Sequence, residues 1–149
     1  MLSPVLFVCT GNTCRSVMAE AVFRKNAPGV KASSAGIAAN PSYRIFGALE
    51  EIFNEEGMPH KNHVSTQVTK EILDEAALVL CMENRHKDYI KENFPFASGK
   101  VFLLTEYAGE KGEILDPIGL DKSFYRKTFD TISGLVVKIL KESGGKRDV

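Results

Sequence analysis

A parallel β-sheet with helices on both faces is the fold this 149-residue sequence predicts. Three observations carry the prediction. Short apolar runs alternate with segments of helical periodicity along the whole chain. The runs "VLFVC" and "ALVLCM" are apolar at every position, as strands covered on both faces are, and "KVFLL" is apolar after its lysine. The segments between them are long enough for the crossover that parallel neighbours require.

The elements follow in order. "VLFVC" (5–9) reads as the first strand. A helix follows from Arg15 to about Asn26, with Met18, Ala21 and Val22 on one face and Glu20, Arg24 and Lys25 on the other, and "PG" at 28–29 stops it. "VKASSAG" is a second strand turning at Gly36. "SYRIFGALEEIFNEEG" (42–57) reads as a helix ended by Gly57, with Ile45, Leu49, Ile52 and Phe53 at core spacing. "STQVTKEILDEA" (65–76) reads as a short helix and 77–82 as the central strand. "ENRHKDYIKENF" is a helix ending before Pro95, 100–104 the fourth strand, and 109–121 a loop. The last helix spans about 122–143, buries Phe129, Ile132, Val136, Ile139 and Leu140, and leaves "GGKRDV" as a frayed tail. The length suggests one domain over 1–149. The right-handed crossover rule gathers the strand C-termini on one edge, where ligands of such sheets bind.

Composition narrows the function. Nineteen Lys plus Arg balance nineteen Asp plus Glu, so no global basic field draws in nucleic acid or an anionic membrane. No window approaches about 18 consecutive apolar residues, so no membrane span is expected. The first residues read as a strand rather than a signal peptide. Three cysteines, Cys9, Cys14 and Cys81, then suggest free thiols in a reducing cytoplasm.

The stretch that asks for chemistry is "VCTGNTCRS" (8–16), at the hinge between the first strand and the first helix. Four readings of Cys9 and Cys14 compete. A zinc site wants a second ligand pair, and His60, His63 and His86 lack metal-ligand spacing. A structural disulfide does not suit a reducing compartment. Two buried core thiols leave "TGNT" and Arg15 without a task. The fourth is an anion cradle with a nucleophile at its base. In a strand-to-helix loop the N–H groups of Thr10, Gly11, Asn12, Thr13, Cys14 and Arg15 converge, and the helix dipole adds positive charge. Gly11 lets the loop turn, and the Arg15 fork suits two phosphate oxygens. The same field favours a thiolate at Cys9, which attacks phosphorus and forms a phosphocysteine. Neither G-x-x-x-x-G-K-[ST] nor G-x-G-x-x-G is present. A leaving group needs a proton donor, and Asp116 in "EILDPIGLD", stiffened by Pro117 on a loop after strand four, can reach the same edge.

"VCTGNTCRS" near the N-terminus, with a distal Asp-Pro, resembles the low-molecular-weight protein tyrosine phosphatase family. "SSAG" (33–36), "HVSTQVTKE" (63–71) and "LVLCMENRHK" (78–87) resemble that family's segments in the same order. The resemblance implies Cys9 as nucleophile, Arg15 as phosphate clamp and Asp116 as general acid. It implies that Asn12 and Ser16 shape the loop and that His63 supports it. It implies phosphorylated proteins as substrates, inorganic phosphate as product, no cofactor and no metal; a monomer is expected. Cys14, a second thiol beside a reactive one, suits a reversible disulfide with Cys9, which the resemblance supports.

The family contains tyrosine phosphatases, arginine phosphatases and arsenate reductases. Tyrosine members commonly carry isoleucine where this chain has Thr13, and bacterial arginine members carry threonine. The chain has no Trp, and "IGLD" follows Asp-Pro where tyrosine members offer two aromatics. Ile118 replaces an aromatic usual in arginine members, and Val17 replaces the proline of "RSP". Phosphoarginine is thus favoured, with phosphotyrosine the alternative. Arsenate reductases carry a further cysteine pair six residues apart, which Cys81 lacks, and a non-catalytic phosphoprotein-binding module would have lost Cys9 or Asp116.

Overall fold

The computed structural model describes residues 1–45 and 47–147, the last four by backbone alone. Four strands form one sheet: β1 (Val5–Cys9), β2 (Ala32–Gly36), β3 (Leu78–Cys81) and β4 (Val101–Leu103), in the order β2-β1-β3-β4. All pairs are parallel, with Cys9 opposite Gly36 and Val8 opposite Cys81. The chain leaves β1 toward β2 and returns to β1's other side at β3. The strand order therefore reverses next to the end of β1, where the Cys9 loop begins.

Every residue of β1 and β3 is buried, because helices cover both faces. Val5, Phe7, Cys9, Leu78 and Leu80 join one cluster with α1 (Arg15–Asn26), α2 (Ala48–Glu56) and α6 (Lys122–Arg147). Leu6, Val8, Val79 and Cys81 join the other with α3 (Lys70–Glu75) and α4 (Asn84–Asn93). The alternation within one apolar run is the strand period of two, feeding two cores instead of a core and a wet face.

Several boundaries differ from expectation. The helix expected over 42–57 begins at Ala48, because Gly47 holds φ at 61°, outside the helical basin; Phe46 lies outside the described residues. The segment 65–69 is extended, not helical. Gly36 donates its N–H to the Thr66 carbonyl and accepts from Val68 N–H, so this β-branched stretch seals the edge of β2. Helix α3 starts only where the Thr69 hydroxyl accepts the Ile72 N–H. A 3-10 turn (Pro95–Lys100) and a four-residue helix, α5 (Leu104–Tyr107), were not expected. The Glu106 carboxylate reaches back to the Leu103 N–H and ends β4 there. In α6 the buried stripe takes Leu135 in place of the half-buried Leu140. That helix continues to Arg147, past the expected end at 143; Asp148 and Val149 of the tail lie outside the described residues. No helix among the described residues is long and apolar enough to cross a membrane.

Candidate active site

The loop from β1 to α1 is held from behind. Asn12 sits at φ 57°, a left-handed conformation that asparagine tolerates better than most residues. Its side chain works in two directions. The Thr66 N–H donates to Asn12 Oδ1 at 2.9 Å, which fixes the amide's orientation, and Asn12 Nδ2 donates to Ser16 Oγ at 2.9 Å. Ser16 Oγ thereby spends a lone pair on Asn12 and keeps its hydrogen for Cys9 Sγ, 3.0 Å away. The Asn12 carbonyl accepts from His63 Nε2 at 2.7 Å and from Ser65 Oγ at 3.3 Å. Gly36, expected only to turn the second strand, has a stricter duty: a Cβ there would stand 2.5 Å from the Thr10 carbonyl oxygen and 3.0 Å from Asn12 N.

Arg15 is 1% exposed, and a buried guanidinium requires partners. Nη1 donates to Glu83 Oε2 at 2.5 Å and to the Ile114 carbonyl at 2.6 Å. Nη2 lies 3.5 Å from Asp116 Oδ2 and 3.4 Å from Thr10 Oγ1. Ile114 is anchored in turn by its N–H to the Met82 carbonyl, and Glu113 accepts the Asn84 N–H. The acid loop is therefore tied to the end of β3. Asp116 also accepts the Ile118 N–H at 3.0 Å, which sets its side chain against the backbone of the Pro117 turn.

Glu83, Arg85 and His86, at the start of α4, complete the constellation, and the sequence reading gave none of them a role. Burial pushes the Glu83 carboxyl up, but hydrogen bonds from Arg85 and Arg15 outweigh it and hold the group below the usual carboxylate range. His86 is fully buried; burial first, then the Arg15 charge, lowers its pKa to about 4. A signal for Glu83 did exist. It follows β3 directly, on the edge that carries Arg15, and a buried arginine asks for an acid there.

Of the expected site residues, Cys9, Asn12, Ser16 and His63 are joined by one set of hydrogen bonds, and Thr10, Arg15 and Asp116 by a second set of polar contacts on the other flank of the same loop. Gly11 and Thr13 are half-exposed on that loop, and Cys14 is buried beneath it. Burial, then Cys9 and Asp116, push the Cys14 thiol up, although Arg15 opposes them. Cys81 lies on the opposite face of the sheet from Cys9, and burial keeps its thiol raised as well. Among the described residues, no three His, Cys, Asp or Glu side chains are grouped to hold a metal ion. A groove of about 690 Å³ opens behind the loop, between α1, β2 and residues 58–66. His63 and Thr66 line it, while Cys9, Arg15 and Asp116 do not.

A thiol, a buried guanidinium and a carboxylate at the C-terminal edge of a parallel sheet are the groups that a cysteine-dependent phosphatase uses. The chain belongs to the low-molecular-weight phosphotyrosine protein phosphatase family, whose model matches residues 4–147. It is 39% identical over 143 residues to a protein-arginine-phosphatase of Bacillus subtilis, covering 93% of this chain and 95% of the relative. It is 35% identical over 135 residues to the low-molecular-weight protein-tyrosine-phosphatase PtpB of Staphylococcus aureus, covering 91% and 95%. A solved structure of the YwlE arginine phosphatase, a cysteine-to-serine variant with a phosphorylated active-site serine, superimposes with a TM-score of 0.86 at 38% identity over 93% of each chain.

The neutral His86 makes the fold acid-sensitive. Its folded pKa lies below the ordinary value of 6.5, so the unfolded chain binds the extra proton first. This contribution is complete above pH 6.5 and is lost as pH falls toward 4, on the order of 3 kcal/mol in all. Urea unfolding at a series of pH values should show that slope in the parent and a flatter one in His86→Gln. Parallel slopes would remove His86 as its source.

Proposed function

We propose that this protein phosphatase acts on phosphoarginine side chains, through a phosphocysteine at Cys9. The observation that carries the mechanism is the commitment of Arg15 Nη1 to Glu83 and the Ile114 carbonyl. It leaves the Nε–Nη2 edge for two phosphoryl oxygens. The N–H groups of the 10–15 loop, at the start of α1, supply the remaining donors to the equatorial oxygens.

The reaction then proceeds in two steps. The Cys9 thiolate, stabilised by the Ser16 hydroxyl, attacks phosphorus in line. The bond to the leaving nitrogen breaks with its electron pair on that nitrogen, which takes the Asp116 proton. Asp116, now a carboxylate, accepts a proton from water as the water attacks the phosphocysteine. Inorganic phosphate leaves and the thiolate is restored. Asn12 and His63 act by holding the loop, not by touching phosphorus.

For the substrate, the site's walls support a polar leaving group. Ile118, two residues past Asp116, is 60% exposed, the chain has no Trp, and Thr13 presents a hydroxyl on the loop. A phenyl ring gains about 0.5–1.5 kcal/mol from each aromatic neighbour beyond area burial. A guanidinium gains more from acceptors such as Asp116 and Thr13. The relatives include enzymes named for each substrate, and the phosphotyrosine reading stands or falls on the same measurement.

Cys14 extends the proposal to redox control. Peroxide oxidises Cys9 to a sulfenic acid, and the neighbouring Cys14 thiol condenses with it, forming the disulfide and releasing water.

Three experiments follow. Asp116→Ala should slow a phosphoester with a poor leaving group at least tenfold more than one with an activated phenol; equal slowing would assign Asp116 a structural role. On matched peptides, kcat/KM should favour phosphoarginine, and Thr13→Ile should shift the ratio toward phosphotyrosine about tenfold, the effect of about 1.4 kcal/mol. A parent that prefers phosphotyrosine overturns the arginine reading. Peroxide inactivation should reverse with thiol in the parent and become irreversible in Cys14→Ser, as peptide mapping of the Cys9–Cys14 bond would confirm; full recovery in the variant would sink the redox role.

A further inference from the structure

Every polar side chain bonded to the Thr10 hydroxyl is a donor. His86 Nε2 lies 2.9 Å from Thr10 Oγ1, Arg85 Nη2 2.7 Å and Arg15 Nη2 3.4 Å. The histidine's direction of donation is fixed from its other side. His86 Nδ1 accepts the Glu83 N–H at 3.0 Å, so the single proton of a neutral ring sits on Nε2. The ring is buried, and its low pKa keeps it neutral over the working range.

A hydroxyl oxygen has two lone pairs and one hydrogen. His86 and Arg85 make the two short contacts and fill the lone pairs. Arg15 Nη2, at the longest distance, belongs to the edge offered to the anion. The Thr10 hydrogen must then point away from three positive or hydrogen-bearing nitrogens, toward an acceptor. Asp116 Oδ2 lies 3.5 Å from that Nη2, and a phosphoryl oxygen gripped by Arg15 would be an acceptor seated beside the same nitrogen.

We propose that Thr10 contributes its hydroxyl, and not only its backbone N–H, to the phosphoryl group, and that buried His86 is the positioning residue that aims it. The inference rests on the phosphatase reading above. A loop residue without a hydroxyl at position 10 keeps the backbone donor and loses this one. Arg85, 53% exposed and shared with Glu83 at 3.1 Å, is the outer brace of the same hydroxyl.

The test measures inorganic phosphate binding directly, by phosphorus NMR titration of the full chain, with melting curves to verify folding. Thr10→Val should weaken phosphate binding on the order of tenfold, while Thr10→Ser stays within about twofold of the parent. His86→Gln, which keeps an N–H donor, should bind nearly as the parent does; His86→Ala should resemble Thr10→Val. In the Thr10→Val background, His86→Ala should add nothing. Parental affinity in Thr10→Val overturns the proposal, and so does an His86→Ala loss equally large in both backgrounds. Turnover of an aryl phosphate is scored separately. A parent that binds phosphate with this Thr10 dependence but does not turn over would sink the phosphatase reading and leave the hydroxyl contact standing.

Discussion

A guanidinium buried at the end of a strand is the constraint on which the rest of this structure depends. Arg15 cannot be taken out of water without partners, and it recruits three from two parts of the chain: Glu83 after β3, and the Ile114 carbonyl and Asp116 of the 109–121 loop. Those contacts span 68 and 99 residues of sequence. The charge that would grip a phosphoryl dianion on the proposed reading is thus also the tie that brings Asp116 beside the Cys9 loop. Removing any partner leaves part of the charge uncompensated, so the packing of the Cys9 loop against the Asp116 loop depends on one side chain.

The loop's shape depends on a second, uncharged chain of bonds. Thr66 N–H, the Asn12 amide, the Ser16 hydroxyl and Cys9 Sγ are linked in series. Each bond fixes the donor–acceptor sense of the next, so the direction of the final hydrogen, toward sulfur, is set by a backbone amide on the far side of β2. The same logic runs through His86 to Thr10 on the opposite flank. Two relays, one ending at the sulfur and one beside the clamp, begin from backbone N–H groups that the fold holds rigidly.

Much of this was legible in the sequence. The apolar runs of β1 and β3 identify strands covered on both faces, while β4 at the sheet edge leaves Phe102 exposed, and the Cys9–Arg15 loop falls at the C-terminal edge by topology alone. Asp116 was legible because Asp-Pro follows the last strand. What escaped were features set by tertiary contact. Residues 65–69 read as helix because their local pattern merges with α3, yet Gly36 draws them into bridge pairing. Gly36 itself read as a turn; its need to be small comes from the Thr10 carbonyl 2.5 Å from where a Cβ would stand. Glu83 and His86 lay within a stretch that resembled the family, but their work is visible only once α4's first turn is seen against Arg15. Helix α5 is four residues long, too short for a periodic signal.

The burial of Cys9 has a consequence of scale. Cys9 is 2% exposed, sunk at the floor of its loop, while the rim carries Leu115, Ile118 and Leu120 in the open. On the proposed reading, a phosphorus atom must be delivered to that floor on the end of an arm. The arms of tyrosine and arginine hold their phosphoryl groups several bonds from the peptide chain; those of serine and threonine stop one atom past Cβ. Depth therefore works as a ruler. On the proposed reading it would sort substrates by reach before any chemical preference is exercised.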